Sequence, residues 1–232
     1  MMCGLFSFDL ALAVLNVAGM KFFTHALGMA ATNFYLFVEE ESNKAVLFDA
    51  PEQTWELLEQ AKKDMPFELE ALYLTHGHWD HMWDASKFSE AGIPVYGHKD
   101  DEDLFLNAER HASVFLGGNS DIKSVQVDHW IEVGEPLTIL GRDVEVRHVP
   151  GHCAGNVLFY FKEDKLAIVG DAIFAGSIGR TDLPGGSMEV LEASIRSQIY
   201  TLPDETQLLS GHGPATTVGR EKATNPFVPG LV

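Results

Sequence analysis

Cysteine is nearly absent from this 232-residue chain: Cys3 and Cys153 are the only two, too few for the disulfide framework of a small secreted scaffold. Cationic side chains are scarce as well, 16 Lys and Arg against 34 Asp and Glu, for a formal charge of −18. Binding to nucleic acid or to an anionic lipid surface rests on Lys and Arg, so neither partner is expected. Long apolar runs are missing too. The stretch 10–19 is short against the ~20 residues of a membrane span, and residues 1–19 hold no Lys or Arg to begin a signal peptide. A second start-like residue, Met20, follows. Residues 1–19 are therefore read as a mis-assigned start or an extra N-terminal segment, 20–232 as a single domain, and the cytoplasm as the expected location. No internal repeat or low-complexity linker interrupts the chain.

What is there suffices for a folded core, because 46% of the residues are apolar. Short apolar runs predict strands over 33–38, 44–48, 68–74, 95–96, 143–149, 156–161, 166–169 and 207–209, the first two joined as a hairpin. Helical spacing predicts helices over 51–63, 80–91, 100–111 and 188–199, the last capped by Ser187. The run Asp100-Asp101-Glu102-Asp103 fits the charged first turn of the third helix. Strands in consecutive sets, each closed by a helix, point to two packed sheets with helices outside rather than to strict βαβ alternation.

Ten histidines in so weakly cationic a chain direct attention to chemistry. Directly after the strand ending at Leu74 comes Thr75-His76-Gly77-His78-Trp79-Asp80-His81. Three imidazoles and a carboxylate this close together are costly to bury without partners. At a strand end they can converge on one point. Imidazole with carboxylate suits Zn²⁺ and related ions, whereas Ca²⁺ and Mg²⁺ favour oxygen alone. Three further strand ends carry glycine-flanked ligand types: His152 in Pro150-Gly151-His152, Asp171 after Gly170, and His212 between Gly211 and Gly213. Together they supply seven candidate ligands: His76, His78, Asp80, His81, His152, Asp171 and His212.

THGHWDH, PGHCAGN, GDAIF and SGHGP, in that order, resemble the metal motifs of the metallo-β-lactamase-fold hydrolases. The resemblance implies an α/β (α+β) fold, an αββα sandwich of two mixed β-sheets. It also implies a centre of two divalent ions, zinc first with iron or manganese as alternatives. His76, His78 and His152 would hold one ion; Asp80, His81 and His212 the other; Asp171 would bridge them. Asp80 and Asp171 thereby become the catalytic carboxylates. Asp49, after the strand 44–48, either fixes an imidazole tautomer or caps the following helix.

Within that group, 171–174, 177–186, 211–217 and 224–227 are most similar to short bacterial hydroxyacylglutathione hydrolases of the glyoxalase II-like kind. The implied activity is hydrolysis of a small-molecule thioester or ester, with a metal-activated hydroxide attacking the carbonyl. The full-length enzymes add a helical domain that helps to bind glutathione; 20 residues follow His212 here, so hydrolysis is implied more firmly than glutathione as leaving group. Persulfide dioxygenases, with one iron on two His and one Asp, are the alternative that shares the motifs. β-Lactamases and lactonases match the loop 179–182 less well. A nuclease is disfavoured by charge, and a non-catalytic module by the full set of ligands. Arg180 either clamps a substrate carboxylate or pairs with Asp182 or Asp171. Trp79 either lines the substrate mouth or packs beneath it. Cys153 reads as a packed residue rather than a nucleophile, and His148 as a strand residue making an ordinary hydrogen bond.

Overall fold

Strands that are apolar on both faces must be covered on both faces, and the strands over 32–39, 157–161 and 166–170 are of that kind. The computed structural model describes residues 19–118 and 120–230, so the reading of residues 1–19 falls, Gly19 apart, outside the described residues. One sheet contains β1 (Met20–Leu27), β2 (Thr32–Glu39), β3 (Lys44–Phe48), β4 (Glu68–Tyr73), β5 (Val95–Gly97) and β6 (His129–Trp130), in that spatial order. A second begins with β7 (Leu137–Ile139), β8 (Arg142–His148), β9 (Val157–Phe161) and β10 (Leu166–Gly170). A small hairpin, β11 (Ile173–Phe174) and β12 (Ser177–Ile178), follows. The second sheet then closes with β13 (Gln207–Ser210), parallel to β10, and β14 (Thr216–Thr217) at its edge. Parallel and antiparallel pairs coexist in each sheet.

Helices α1 (Thr54–Asp64), α2 (Trp79–Met82), α3 (Ala85–Glu90), α4 (Glu102–Leu106) and α5 (Ala108–Leu116) belong to the outer layer of the first sheet. Helices α6 (Met188–Ser194) and α7 (Val218–Thr224) cover the second. The expected αββα sandwich is thus the observed one.

Alternation along β2 sets the layering. Phe34, Leu36 and Val38 face the helices, while Tyr35 and Phe37 enter the space between the sheets. There Phe37 stacks on Phe161 with ring centroids 5.3 Å apart, and Phe48 meets Phe159 edge-on at 5.0 Å. On β8 only Val144 and Val146 are buried; Glu145 is exposed and Arg147 reaches back to the Gln198 carbonyl.

The structure departs from the sequence reading in several segments: β6, β7, the β11–β12 hairpin, β14 and α7 were not among its elements. β1 was not anticipated; it pairs with β2 along its whole length. The helix expected over 80–91 breaks at Trp83–Asp84, where the Asp84 carboxylate accepts the Trp55 amide. The one expected over 100–111 divides into a 3₁₀ turn, Lys99–Asp101, where Asp101 is drawn into the interior, and then α4 and α5, which meet at Asn107. The fourth ends early as an α-helix and finishes in a π turn, Ile195–Ile199. Ser187 caps α6 as expected, accepting the Val190 amide.

The sheets are joined at one edge by main-chain bonds. Val157 N–H donates to the Thr75 carbonyl (2.9 Å), and Asn33 N–H to the Gly211 carbonyl (2.7 Å). Phe37, fully buried between the layers, tests the core: Phe37→Ala is expected to cost about 3–5 kcal/mol in urea unfolding. Replacing half-exposed Val133 with Ala should change stability by less than about 0.5 kcal/mol.

Candidate metal centre

The joined edge is where β3, β4, β8, β10 and β13 end, and each delivers a polar residue there: Asp49, His76, His152, Asp171 and His212. The loop after β4 runs into α2, which adds His78, Asp80 and His81. All seven predicted ligands come together. His78 Nδ1 lies 3.1 Å from His76 Nε2 and 2.7 Å from His152 Nε2. His212 Nε2 lies 3.2 Å from Asp80 Oδ2, and His81 Nε2 lies 3.6 Å from the same oxygen. Asp171 stands between the two groups, with Oδ1 3.3 Å from His81 Nε2 and Oδ2 3.6 Å from His152 Nε2 and 3.3 Å from His212 Nε2.

Hydrogen bonds from behind decide which ring nitrogens turn inward. Thr75 O–H donates to Asp49 Oδ2, so its oxygen accepts from His76 Nδ1 (3.0 Å) and leaves His76 Nε2 as a lone pair. His81 Nδ1 donates to Asp49 Oδ2 (2.8 Å) and His152 Nδ1 to the Arg180 carbonyl (2.8 Å). The lone pairs of His76 Nε2 and His152 Nε2 thus converge on His78 Nδ1, which has one proton at most to share between them, an arrangement that a cation would complete. His81 Nε2 and Asp171 Oδ1 are also buried with no well-aligned hydrogen-bond partner. The donors are nitrogen and carboxylate oxygen, and they fit divalent transition metals.

Electrostatics divide the two groups. Burial, reinforced by neighbouring imidazoles, holds His76 and His78 far below the ordinary histidine range, so both stay neutral. Burial also acts against charge at Asp171, but the His81 and His212 imidazoles outweigh it and hold the carboxylate ionised. Reciprocally, burial lowers His212 while Asp171 and Asp80 more than offset that, raising it to about 9.

Asp49 makes three hydrogen bonds, to the Thr75 amide, the Thr75 hydroxyl and His81, and caps no helix; of its two readings the geometry supports the imidazole support. Thr32 and Asn33 escaped the sequence reading. Thr32 Oγ1 donates to Asp80 Oδ2 (2.8 Å), and Asn33 Nδ2 bridges the Ser210 and Gly213 carbonyls on either side of His212. Only their place at the start of β2 could have signalled this. Gly211 has no substitute in this arrangement, because a Cβ there would overlap the Asp171 carboxylate and the His81 ring.

A cleft of about 170 Å³ opens over five of the seven, His78, Asp80, His152, Asp171 and His212, walled by Ala30, Trp79, Phe115 and Leu183. Trp79 both lines it and packs on Trp83. Arg180 sits at the rim, paired by two hydrogen bonds to Asp182 and 5.9 Å from the Phe115 ring centroid. Cys153 is fully buried, and burial, with the charge of Asp101 beside it, pushes its thiol well up; it supplies no nucleophile. His98, Asp100 and His148 form a looser group, in which His148 Nε2 faces the Ala154 carbonyl at 2.7 Å. No helix among the described residues is long and apolar enough to cross a membrane.

Comparison with known proteins agrees with this geometry. The model of the metallo-beta-lactamase superfamily matches residues 27–212. A hydroxyacylglutathione hydrolase (GloC) of Haemophilus influenzae is 37% identical over 199 residues, covering 84% of this chain and 92% of that protein. Among solved structures, the BLEG-1 B3 metallo-beta-lactamase superposes with a TM-score of 0.82 at 34% identity, covering 90% of this chain and 99% of its own. TTHA1623, in a di-iron-bound form, gives 0.77 at 36% identity, with 88% and 99% covered. The matched span takes in every one of the seven converging residues, from His76 to His212. On the sandwich, the converging side chains and this match, the chain belongs to the metallo-β-lactamase superfamily.

Proposed function

We propose that the protein is a two-metal hydrolase of small-molecule thioesters or esters, similar in activity to hydroxyacylglutathione hydrolases. The observation that carries this reading is the pair of three-ligand groups with Asp171 between them. His76, His78 and His152 would hold one divalent ion; Asp80, His81 and His212 the other. A pair of bound divalent cations supplies a water that ionises near neutral pH and a Lewis acid for a carbonyl oxygen. Zinc suits these donors, and the di-iron form of TTHA1623 keeps iron beside it.

The chain's own residues account for the rest of the chemistry. Thr32 holds Asp80, and Asp49 holds His81, so neither ligand has to reorganise when substrate arrives. Ala30, Trp79, Phe115 and Leu183 present apolar walls that pack against an acyl chain and exclude bulk water from the carbonyl. A thiolate leaves without a proton, so thioester cleavage needs no general acid from the protein. At the rim Arg180 is the group suited to a substrate carboxylate, and Asp182 keeps it in place between turnovers.

Three outcomes test this. Purified protein should carry two equivalents of divalent metal by elemental analysis and hydrolyse S-lactoylglutathione faster than a β-lactam, a lactone or a persulfide. One iron per chain with O₂ consumption on glutathione persulfide would falsify it in favour of the dioxygenase. His78→Ala should reduce bound metal and lower turnover by more than about 100-fold with an unchanged circular dichroism spectrum, since even outer partners of metal ligands are worth 10–100-fold. Arg180→Ala is expected to raise KM about tenfold for carboxylate-bearing substrates with kcat retained; an unchanged KM would leave Arg180 only the loop-ordering pair with Asp182.

A further inference from the structure

The acidic run 100–103 contains one residue that does not behave as a solvated helix start. Asp101 is 1% exposed, and no Lys or Arg among the described residues pairs with it; neighbouring Lys99 points to Glu102 and the Trp130 ring. Its carboxylate is instead filled by three donors from two different loops. Oδ2 accepts the Gly77 amide (2.9 Å) and the Cys153 thiol (3.2 Å), and Oδ1 accepts the Gly155 amide (2.7 Å).

Those loops are the ones that carry His76, His78 and His152. Gly77 lies between the first two, and Cys153 directly follows the third. The packing is as close as the bonding: a Cβ on Gly155 would stand 2.6 Å from Asp101 Cγ, and one on Gly77 would stand 3.2 Å from Asp101 Cβ. His76 and His152 each have a second anchor, Thr75 and the Arg180 carbonyl. His78 has no such bond among the described residues; its only ring-nitrogen contacts are the inward ones to His76 and His152. Its position therefore depends on the backbone of its loop, and the bond from Gly77 N–H to Asp101 fixes that backbone.

We propose that Asp101 is a positioning residue for the first metal group: it ties the His76–His78 loop to the His152 loop and so sets the spacing of the three imidazoles. Asp49 does the corresponding work behind His81, from the other side of the centre. Only a carboxylate meets the demand at 101, since both oxygens must accept. An asparagine would turn its NH₂ toward an N–H and release one loop.

The proposal rests on the two-ion reading, and the experiment separates the two. Metal-free wild type, Asp101→Asn, His78→Ala and His212→Ala are each titrated with Zn²⁺ against a chromophoric chelator. In parallel each is loaded with Co²⁺ for its visible absorption spectrum. Wild type should bind two ions. Asp101→Asn should weaken one of them about 10–100-fold, the same one that His78→Ala weakens, and leave the ion weakened by His212→Ala within a factor of about two. The Co²⁺ bands of that one site should shift, while the melting temperature of the metal-free form stays within a few degrees of wild type. Gly155→Ala, which presses on the carboxylate from the other loop, should reproduce the pattern. Equal weakening of both ions, weakening of the His212 ion alone, no change, or failure of both variants to fold would each overturn the proposal. A wild type that binds fewer than two ions would overturn the two-ion reading itself and the proposal with it.

Discussion

One set of converging side chains is drawn from two separate sheets, so everything at the centre depends on the seam where those sheets meet. His76, His78, Asp80 and His81 follow the first sheet's β4; His152, Asp171 and His212 follow strands of the second. Face-to-face sheets lie about 10 Å apart, too far for opposing side chains to share an ion unless the layers close at an edge. Here they close through the main chain, by Val157 to Thr75 and Asn33 to Gly211, and through an isolated bridge between Thr32 and His212. Backbone bonds of this kind need no particular side chain. The aromatic filling between the sheets supports the seam and sets its angle, and loosening that core would move ligands against one another.

The second constraint is charge. Four carboxylates, Asp49, Asp80, Asp101 and Asp171, lie at or beneath the centre, and no Lys or Arg pairs with any of them among the described residues. Moving an isolated carboxylate from water to the interior costs several kcal/mol even after relaxation. The chain meets that cost in two ways. Asp101, and Asp49 in part, are satisfied by amide, hydroxyl and thiol donors, which serve a structural carboxylate well. Asp80 and Asp171 face imidazoles instead, and their carboxylates raise the His212 pKa against the opposing effect of burial. Divalent cations answer the same demand without using the ring nitrogens as proton carriers.

These two kinds of carboxylate also explain what could be read in advance. The seven converging residues were legible because each sits in a short, glycine-containing segment soon after an expected strand, and chemistry confined to such segments survives in sequence order. The layering was legible because β2, β9 and β10 are apolar on both faces. Asp101 was not, since Asp100-Asp101-Glu102-Asp103 looks uniformly solvated until the fold turns one of the four inward. β1 was hidden by its half-polar sequence, which gains its strand character from β2 alongside. The break at Trp83–Asp84 and the 3₁₀ turn at Lys99–Asp101 go with tertiary demands on Asp84 and Asp101 that helix propensity over a window does not register.

Of the two readings of Arg180, the pair with Asp182 is the observed one. Its fork is taken by Asp182, yet both side chains are more than half exposed, at 53% and 68%. An ion pair so open to water contributes little and exchanges readily for another carboxylate. Its main-chain carbonyl is not exchangeable in that way, because it holds His152 Nδ1. The same residue thus carries an exposed ion pair on its side chain and a fixed acceptor for the His152 ring on its main chain. A side-chain substitution at 180 removes the first and keeps the second, whereas a change in the backbone path of its loop would disturb both.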